Sequence, residues 1–174
     1  ASNMDAFLGT AAWRTGGANR SPDAIIKQTN TSWASVLATV KAQNPYLSLG
    51  ASIIPVRLAS GVHDVAADDL STIGYLNGII AIQAATLLSA PGVNQNATIR
   101  FNGIGAFNLF GLFGIELHSV KIAIDGGNTV PFNLDFGCYL RSKFCCWDVS
   151  AVTAISSMIN AVDSTVISED DTFV

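Results

Sequence analysis

An α+β fold is what this sequence predicts: one domain over residues 1–174, with an antiparallel sheet and about three packed helices. Three observations predict it. Apolar residues recur at helical spacing in three stretches, near 22–43, 69–89 and 148–162. Between the last two, short runs alternate apolar and polar residues as half-buried strands do. Turn signals separate these runs, and neither an interdomain linker nor an internal repeat is evident.

The elements follow in chain order. Residues 1–20 read as an irregular N-terminal segment with a short strand near 7–13. Ser21-Pro22-Asp23 starts a helix, with Ser at the N-cap, Pro in the first position and an acid in the first turn. Ile25, Ile26, Thr29, Trp33, Val36, Leu37 and Val40 make its apolar face, and Asn44-Pro45 ends it. Residues 46–58 read as extended, with Pro55 demoting the run to an edge strand or splitting it. Asp68-Asp69 opens a second helix, carried by Leu70, Ile73, Leu76, Ile79, Ile80, Gln83, Leu87 and Leu88 and stopped by Pro91-Gly92. Gly74 and Gly78 each weaken it by about 1 kcal/mol relative to Ala. Asn77-Gly78 also suits a type I′ turn, so a hairpin is the competing reading.

Residues 98–101 look like strand. Residues 121–125 and 130–136 alternate and pair as an antiparallel hairpin across Asp125-Gly126-Gly127-Asn128. Residues 139–145 supply a further strand. Asp148 caps a last helix bearing Val149, Val152, Ile155, Ile159 and Val162, and residues 167–174 form a frayed acidic tail.

Composition narrows the function classes. Charged residues are 13% of the chain and mean hydropathy is +0.40. The charged share is about half the usual one, which favours an oligomer, a lipid partner or a tightly sealed fold. Net charge is −4, with an isoelectric point of about 4.8 and no Lys/Arg cluster, so a phosphate backbone is repelled and nucleic acid is excluded as a partner. No run is long and apolar enough to read as a constitutive membrane span.

The apolar character concentrates in residues 70–115, where Arg100 is the single formal charge. Its second half runs Gly103, Ile104, Gly105, Phe107, Leu109, Phe110, Gly111, Leu112, Phe113, Gly114, Ile115. Large apolar side chains among glycines give this run a look similar to viral fusion peptides, and Gly111-Leu112-Phe113-Gly114-Ile115-Glu116 resembles the start of one such class. With residues 70–90 it also suits a hydrophobic helical hairpin of the kind pore-forming toxins bury. Against these stands a plainer reading, a strand that is apolar because both its faces are packed. The candidate lipid- or ligand-contacting residues are Ile79, Ile80, Phe101, Ile104, Phe107, Leu109, Phe110, Leu112, Phe113 and Ile115.

Chemistry-bearing motifs are sparse. Glu116 and His118 share one face of a strand and would make half of a metal site, but no spacing announces a third ligand. His63 and Asp64 read as polar residues at the surface, and Asp68-Asp69 as a helix cap. Asp125-Gly-Gly-Asn128 reads as a turn, and Glu169-Asp170-Asp171 as a solvated tail. No Gly-x-Ser-x-Gly elbow occurs. No catalytic, cofactor-binding or metal-binding residue is assigned, and no cofactor is expected. Cys138 can bridge to Cys145 or Cys146, leaving one thiol for the interior or for a second chain; three reduced core thiols are the alternative. Asn19, Asn30 and Asn96 open glycosylation sequons. The start at Ala1 suits a mature secreted form.

The expectation is a secreted, non-enzymatic protein acting through residues 70–115 on lipid or membrane, toxin-like or effector-like. Two alternatives stand beside it: a self-assembling protein that buries the same surface between subunits, and an enzyme or carrier holding an apolar small molecule in a cavity.

Overall fold

The structure, a computed structural model, describes residues 29–36, 38, 53–65, 78–102, 107–110, 113–125, 130–151 and 157–174; for 53–55, 78, 102, 110 and 113 it describes the backbone alone. The strands are β1 Thr29–Asn30, β2 Ile53–Leu58, β3 Gly61–Val65, β4 Gly78–Ala84, β5 Ala97–Asn102, β6 Phe107–Phe110 and β7 Phe113–His118. They continue with β8 Val120–Asp125, β9 Phe132–Asp135, β10 Tyr139–Lys143, β11 Cys146–Asp148, β12 Ile159–Val162, β13 Thr165–Glu169 and β14 Thr172–Phe173. They stack into three sheets: A, in the order β1-β2-β4-β7-β10-β13; B, β14-β11-β8-β5-β3; and C, β12-β9-β6.

Every pairing among these strands is parallel. The chain therefore winds from sheet A to B to C and back, one coil per circuit, as a β-solenoid. Strand makes up about 60% of the described residues and helix 5%. This overturns the predicted α+β domain with an antiparallel sheet and three helices. The coil is also an internal repeat, which the sequence reading missed. Gly114 lies opposite Tyr139, and Tyr139 opposite Thr165, a period of about 25 residues, within the range of solenoid repeats.

Individual elements change accordingly. The predicted hairpin does not form: β8 belongs to sheet B and β9 to sheet C, and each pairs with the neighbouring coils. Within the predicted second helix, residues 78–84 are strand. The predicted last helix and frayed tail contain β12, β13 and β14 instead. Of the first helix, residues 33–36 and 38 keep helical backbone, but β1 precedes them. Ser32 caps this stretch, accepting from Ser35 N at 3.2 Å, while Ser35 Oγ accepts from Ser32 N at 3.3 Å. The predicted N-terminal strand near 7–13 and the Ser21-Pro22-Asp23 helix start lie outside the described residues.

Alternation sorts each strand into an inward and an outward set. In parallel register the inward residues form columns along the solenoid. Ile80, Ile115 and Leu140 make one in sheet A; Ile99, Ile122 and Trp147 make one in sheet B; Phe107 and Phe132 share one in sheet C. All are buried. The aromatic members touch in sequence: Trp33–Phe107 at 5.2 Å between centroids, Phe107–Phe132 at 5.2 Å, Phe132–Trp147 at 5.6 Å and Trp147–Phe173 at 6.3 Å. Phe101 joins Phe107 at 4.9 Å and Phe132 at 5.5 Å, edge to face. Outside sheet C, Asn133 donates to Asn108 at 2.8 Å, and Asn160 reaches Asn133 at 3.5 Å, a short asparagine ladder.

The corners need left-handed backbone. Ser119, Phe144 and Asp170 follow the last residues of β7, β10 and β13, and each has positive φ (58°, 51° and 54°). Phe136 and Asp163 do the same where sheet C returns to A. Corner amides continue the ladder, Ser119 N to Lys143 O at 3.0 Å and Phe144 N to Glu169 O at 3.1 Å. Asp171 pins the last corner: it accepts from Ser142 Oγ, from Cys145 N at 2.8 Å, from Trp147 Nε1 at 3.2 Å and from Ser168 Oγ at 2.7 Å.

Because Phe132 touches Phe101, Phe107 and Trp147 at once, Phe132→Ala is expected to lower unfolding free energy by about 3–5 kcal/mol, as for buried aromatic truncations generally. Denaturant unfolding followed by Trp fluorescence measures it; a loss under about 1 kcal/mol would contradict the continuous aromatic core.

Candidate functional site

The residues singled out from the apolar region divide by face. Ile80, Phe101, Phe107 and Ile115 have 0% exposure and Leu109 has 3%; all five point inward. Ile79 is half-buried on the outer face of sheet A. Phe110 and Phe113 lie in β6 and β7, and Ile104 and Leu112 fall outside the described residues. β4 is buried along both faces from Ile80 to Ala84, as parallel strands often are. Cys138, Cys145 and Cys146 are buried and unbridged; burial pushes the Cys145 thiol up to about 12. Asn30 is buried, with its amide donating to Arg57 O at 3.1 Å. Asn96 is exposed, and Asn19 lies outside the described residues. Among the described residues no helix is long and apolar enough to cross a membrane.

The polar chemistry gathers on the outer face of sheet A. Outward positions of β7 carry Glu116 and His118, those of β10 carry Tyr139, Arg141 and Lys143, and β13 adds Glu169. Register sets Glu116 beside Arg141, and His118, Lys143 and Glu169 in one row across three rungs. Rungs of a sheet lie about 4.8 Å apart, so these side chains crowd one another. Arg141 Nη2 meets Glu169 Oε1 at 2.8 Å, and Lys143 Nζ meets Glu169 Oε2 at 3.4 Å. Gly114 leaves room for the ring beside it. A Cβ there would stand 3.0 Å from Ile79 Cγ1 and 3.2 Å from Tyr139 Cδ1, so glycine lets both side chains close over the strand.

Electrostatics separates the two glutamates. Burial, reinforced by Glu169 and opposed by Arg141, raises the Glu116 carboxyl above the usual carboxylate range. At Glu169 dehydration pushes upward, but Arg141 and Lys143 together outweigh it and hold the carboxyl below that range. Burial and the nearby Glu116 charge raise the Tyr139 phenol. Glu116 and His118 do share a face, but no third metal-ligating side chain joins them among the described residues.

One corner departs from the pattern. From sheet A to sheet B the chain turns through Ala59 and Ser60, through Ser119, through Phe144 and Cys145, or through Asp170 and Asp171. After β4 it instead takes residues 85–96. This loop lies over the following corners: Leu88 N donates to Ser119 Oγ at 2.8 Å, and Gln95 Nε2 donates to Phe144 O at 3.1 Å. It therefore borders the ends of β7 and β10, where His118 and Lys143 sit. Phe144 marks the junction. Its ring centroid lies 5.9 Å from that of His118, and Lys143 Nζ stands 5.3 Å from it. Left-handed backbone at a bulky residue costs on the order of 1–3 kcal/mol and is often retained at ligand-contacting sites.

The result is a ledge: a charged and aromatic sheet face walled along one side by an inserted loop. The sequence reading picked out Glu116 and His118 as a pair but missed Tyr139, Arg141, Lys143 and Phe144. Only the coil register brings those beside the pair. Comparison of the chain with protein-family models, curated proteins and solved structures found no match.

The raised carboxyl makes stability depend on pH. A group whose folded pKa exceeds its unfolded value stabilises fully below the unfolded value, and that contribution is lost as pH rises through the folded one. Relative to wild type, Glu116→Gln is therefore expected to gain stability as pH rises above the ordinary glutamate value of 4.5, and to show no such trend below it. Denaturant melts at pH 4 and pH 8 measure this; a difference independent of pH would contradict the assigned environment.

Proposed function

We propose that the chain is a ligand-binding β-solenoid whose working surface is the sheet A ledge beside the 85–96 loop. The inserted loop carries the reading. Solenoid coils repeat because stacking demands it, and insertions collect on one face, often the binding face. The side chains of this face support it: His118, Lys143 and the Phe144 ring stand next to the loop, and farther along the same face lie Arg141, the Tyr139 ring and Glu116, a half-buried carboxyl with a raised pKa.

Action on lipid through residues 70–115 would first require extracting Phe101, Phe107, Leu109 and Ile115 from the solenoid interior. Burial of apolar surface opposes that at about 25 cal/mol per Å². The exterior is available without such a cost.

The test is to titrate the isotopically labelled chain with soluble polymers of different charge and follow backbone amide shifts. Perturbations should cluster at 85–96, 116–118 and 139–144. Shortening 85–96 to a two-residue corner, or making Gln95→Ala, should weaken the response about tenfold or more while leaving the thermal midpoint within a few degrees. Shifts confined to sheets B and C, or none, would defeat the proposal.

A further inference from the structure

We infer that the ligand of the ledge is a neutral, polyhydroxylated chain, an oligosaccharide, lying along β10 with sugar rings against Tyr139 and Phe144. The inference rests on the ledge being the binding surface and adds the chemical class of what binds there.

Charge balance is the first support. Arg141 and Lys143 are both engaged by Glu169, and Glu116 stands beside Arg141. Along β7, β10 and β13 two cations face two carboxyls, so their formal charges cancel there; Arg57 continues the row on β2, two rungs beyond His118. An anionic ligand would have to displace Glu169 from its partners and would meet Glu116. A cationic ligand would have to displace Arg141 and Lys143. A neutral ligand faces neither penalty.

The second support is the spacing of the rings. Tyr139 opens β10 and Phe144 follows its last residue, placing them about 16 Å apart along an extended backbone. Both are half-buried, so each has support on the protein side and area left for contact. Tyr139 is seated close over Gly114, and Phe144 is held by the corner backbone. The C–H faces of pyranose rings pack on such surfaces, and the separation calls for a chain of several sugars rather than a single one.

Hydrogen-bonding capacity is the third. Between the rings lie carboxylate acceptors at Glu116 and Glu169 and guanidinium and ammonium donors at Arg141 and Lys143. A hydroxyl both donates and accepts, so a polyol satisfies adjacent groups of opposite kind without a charge of its own. A peptide docking by its backbone would need an open strand edge. The ledge is a sheet face, and β10 is paired on both sides.

The experiment is isothermal titration of the full 174-residue chain. The probes are soluble neutral oligosaccharides built from glucose, xylose or N-acetylglucosamine, with oligogalacturonate and short acidic and basic peptides beside them. At least one neutral chain should bind. Tyr139→Ala and Phe144→Ala should each weaken that binding about tenfold or more. Tyr139→Phe should retain most of it, and Thr98→Ala, on the outer face of sheet B, should leave it unchanged. Circular dichroism checks folding; if Phe144→Ala disturbs the corner, the Tyr139 pair decides alone. Binding only to oligogalacturonate or a peptide, with amide shifts at 85–96 and 139–144, would overturn the neutral-glycan assignment and keep the ledge. Neutral-chain binding that ignores both ring substitutions and shifts amides on sheets B or C would overturn the assignment and the ledge together. Failure of every neutral chain to bind overturns the assignment.

Discussion

Parallel, in-register stacking is the constraint from which the rest of this molecule follows. Each strand must satisfy its backbone on the coil before and the coil after, so every position of a coil faces its own equivalent one rung away. A column that points inward must be apolar at every rung, or find a local partner. Asp171 illustrates the partner solution. Ser142 sits in the inward column of Val56, Ile82 and Leu117, and its hydroxyl is received by the Asp171 carboxylate from the next corner. The aromatic chain from Trp33 to Phe173 illustrates the other solution, in which ring meets ring between successive coils.

The same constraint explains the composition. A solenoid of this width has a narrow interior lined from three sides, and short coils spend nearly every second strand residue on it. Stretches such as 78–84 and 113–118 are then apolar in excess of what a helix face requires. Outward positions need no large charge to stay in place, and several of the described charges close in pairs between rungs: Asp64 with Arg100, Lys121 with Asp148, Glu169 with Arg141. The low charge that suggested a partner is in good part the cost of lining the core.

How much of this was legible in the sequence depends on whether the signal was local. The alternation of Val120, Ile122 and Ile124 and of Phe132 and Leu134 was readable, and β8 and β9 are strands. Their pairing was not, because a turn signal between two alternating runs looks the same whether the runs pair with each other or turn a corner into separate sheets. Residues 78–84 were misread as helix because a strand buried on both faces carries no period, and Ile79, Ile80 and Gln83 fit helical spacing by accident. The repeat escaped notice for a related reason. Inward columns keep apolarity rather than identity, as in Ile80, Ile115, Leu140 and Val166, and the 85–96 insertion throws one coil out of step with the others. The ledge was half legible. Glu116 and His118 share a strand, so spacing alone found them, whereas Arg141, Lys143 and Glu169 join them only through the stacking of coils.

That division bears on where function can reside in such a fold. Inward columns are fixed by their neighbours on both sides, and a change at one rung is felt at the next. Outward columns are constrained by register but not by packing, so they can hold chemistry the fold does not need. The outer face of sheet A uses this freedom in two ways the fold alone does not require. It keeps Glu116 half-buried beside an arginine already committed to Glu169, and it places Phe144 at a left-handed corner where a small residue would be less strained. Both features carry an energetic cost; Phe144 lies against the single described corner between sheets A and B where the chain departs from its coil length, and Glu116 stands farther along β7, the strand whose end that corner borders. Left-handed backbone at a bulky residue does not by itself mark this face, since Phe136 turns a corner between sheets C and A in the same way; the proposed binding surface rests on the inserted loop standing at the end of a charged and aromatic face.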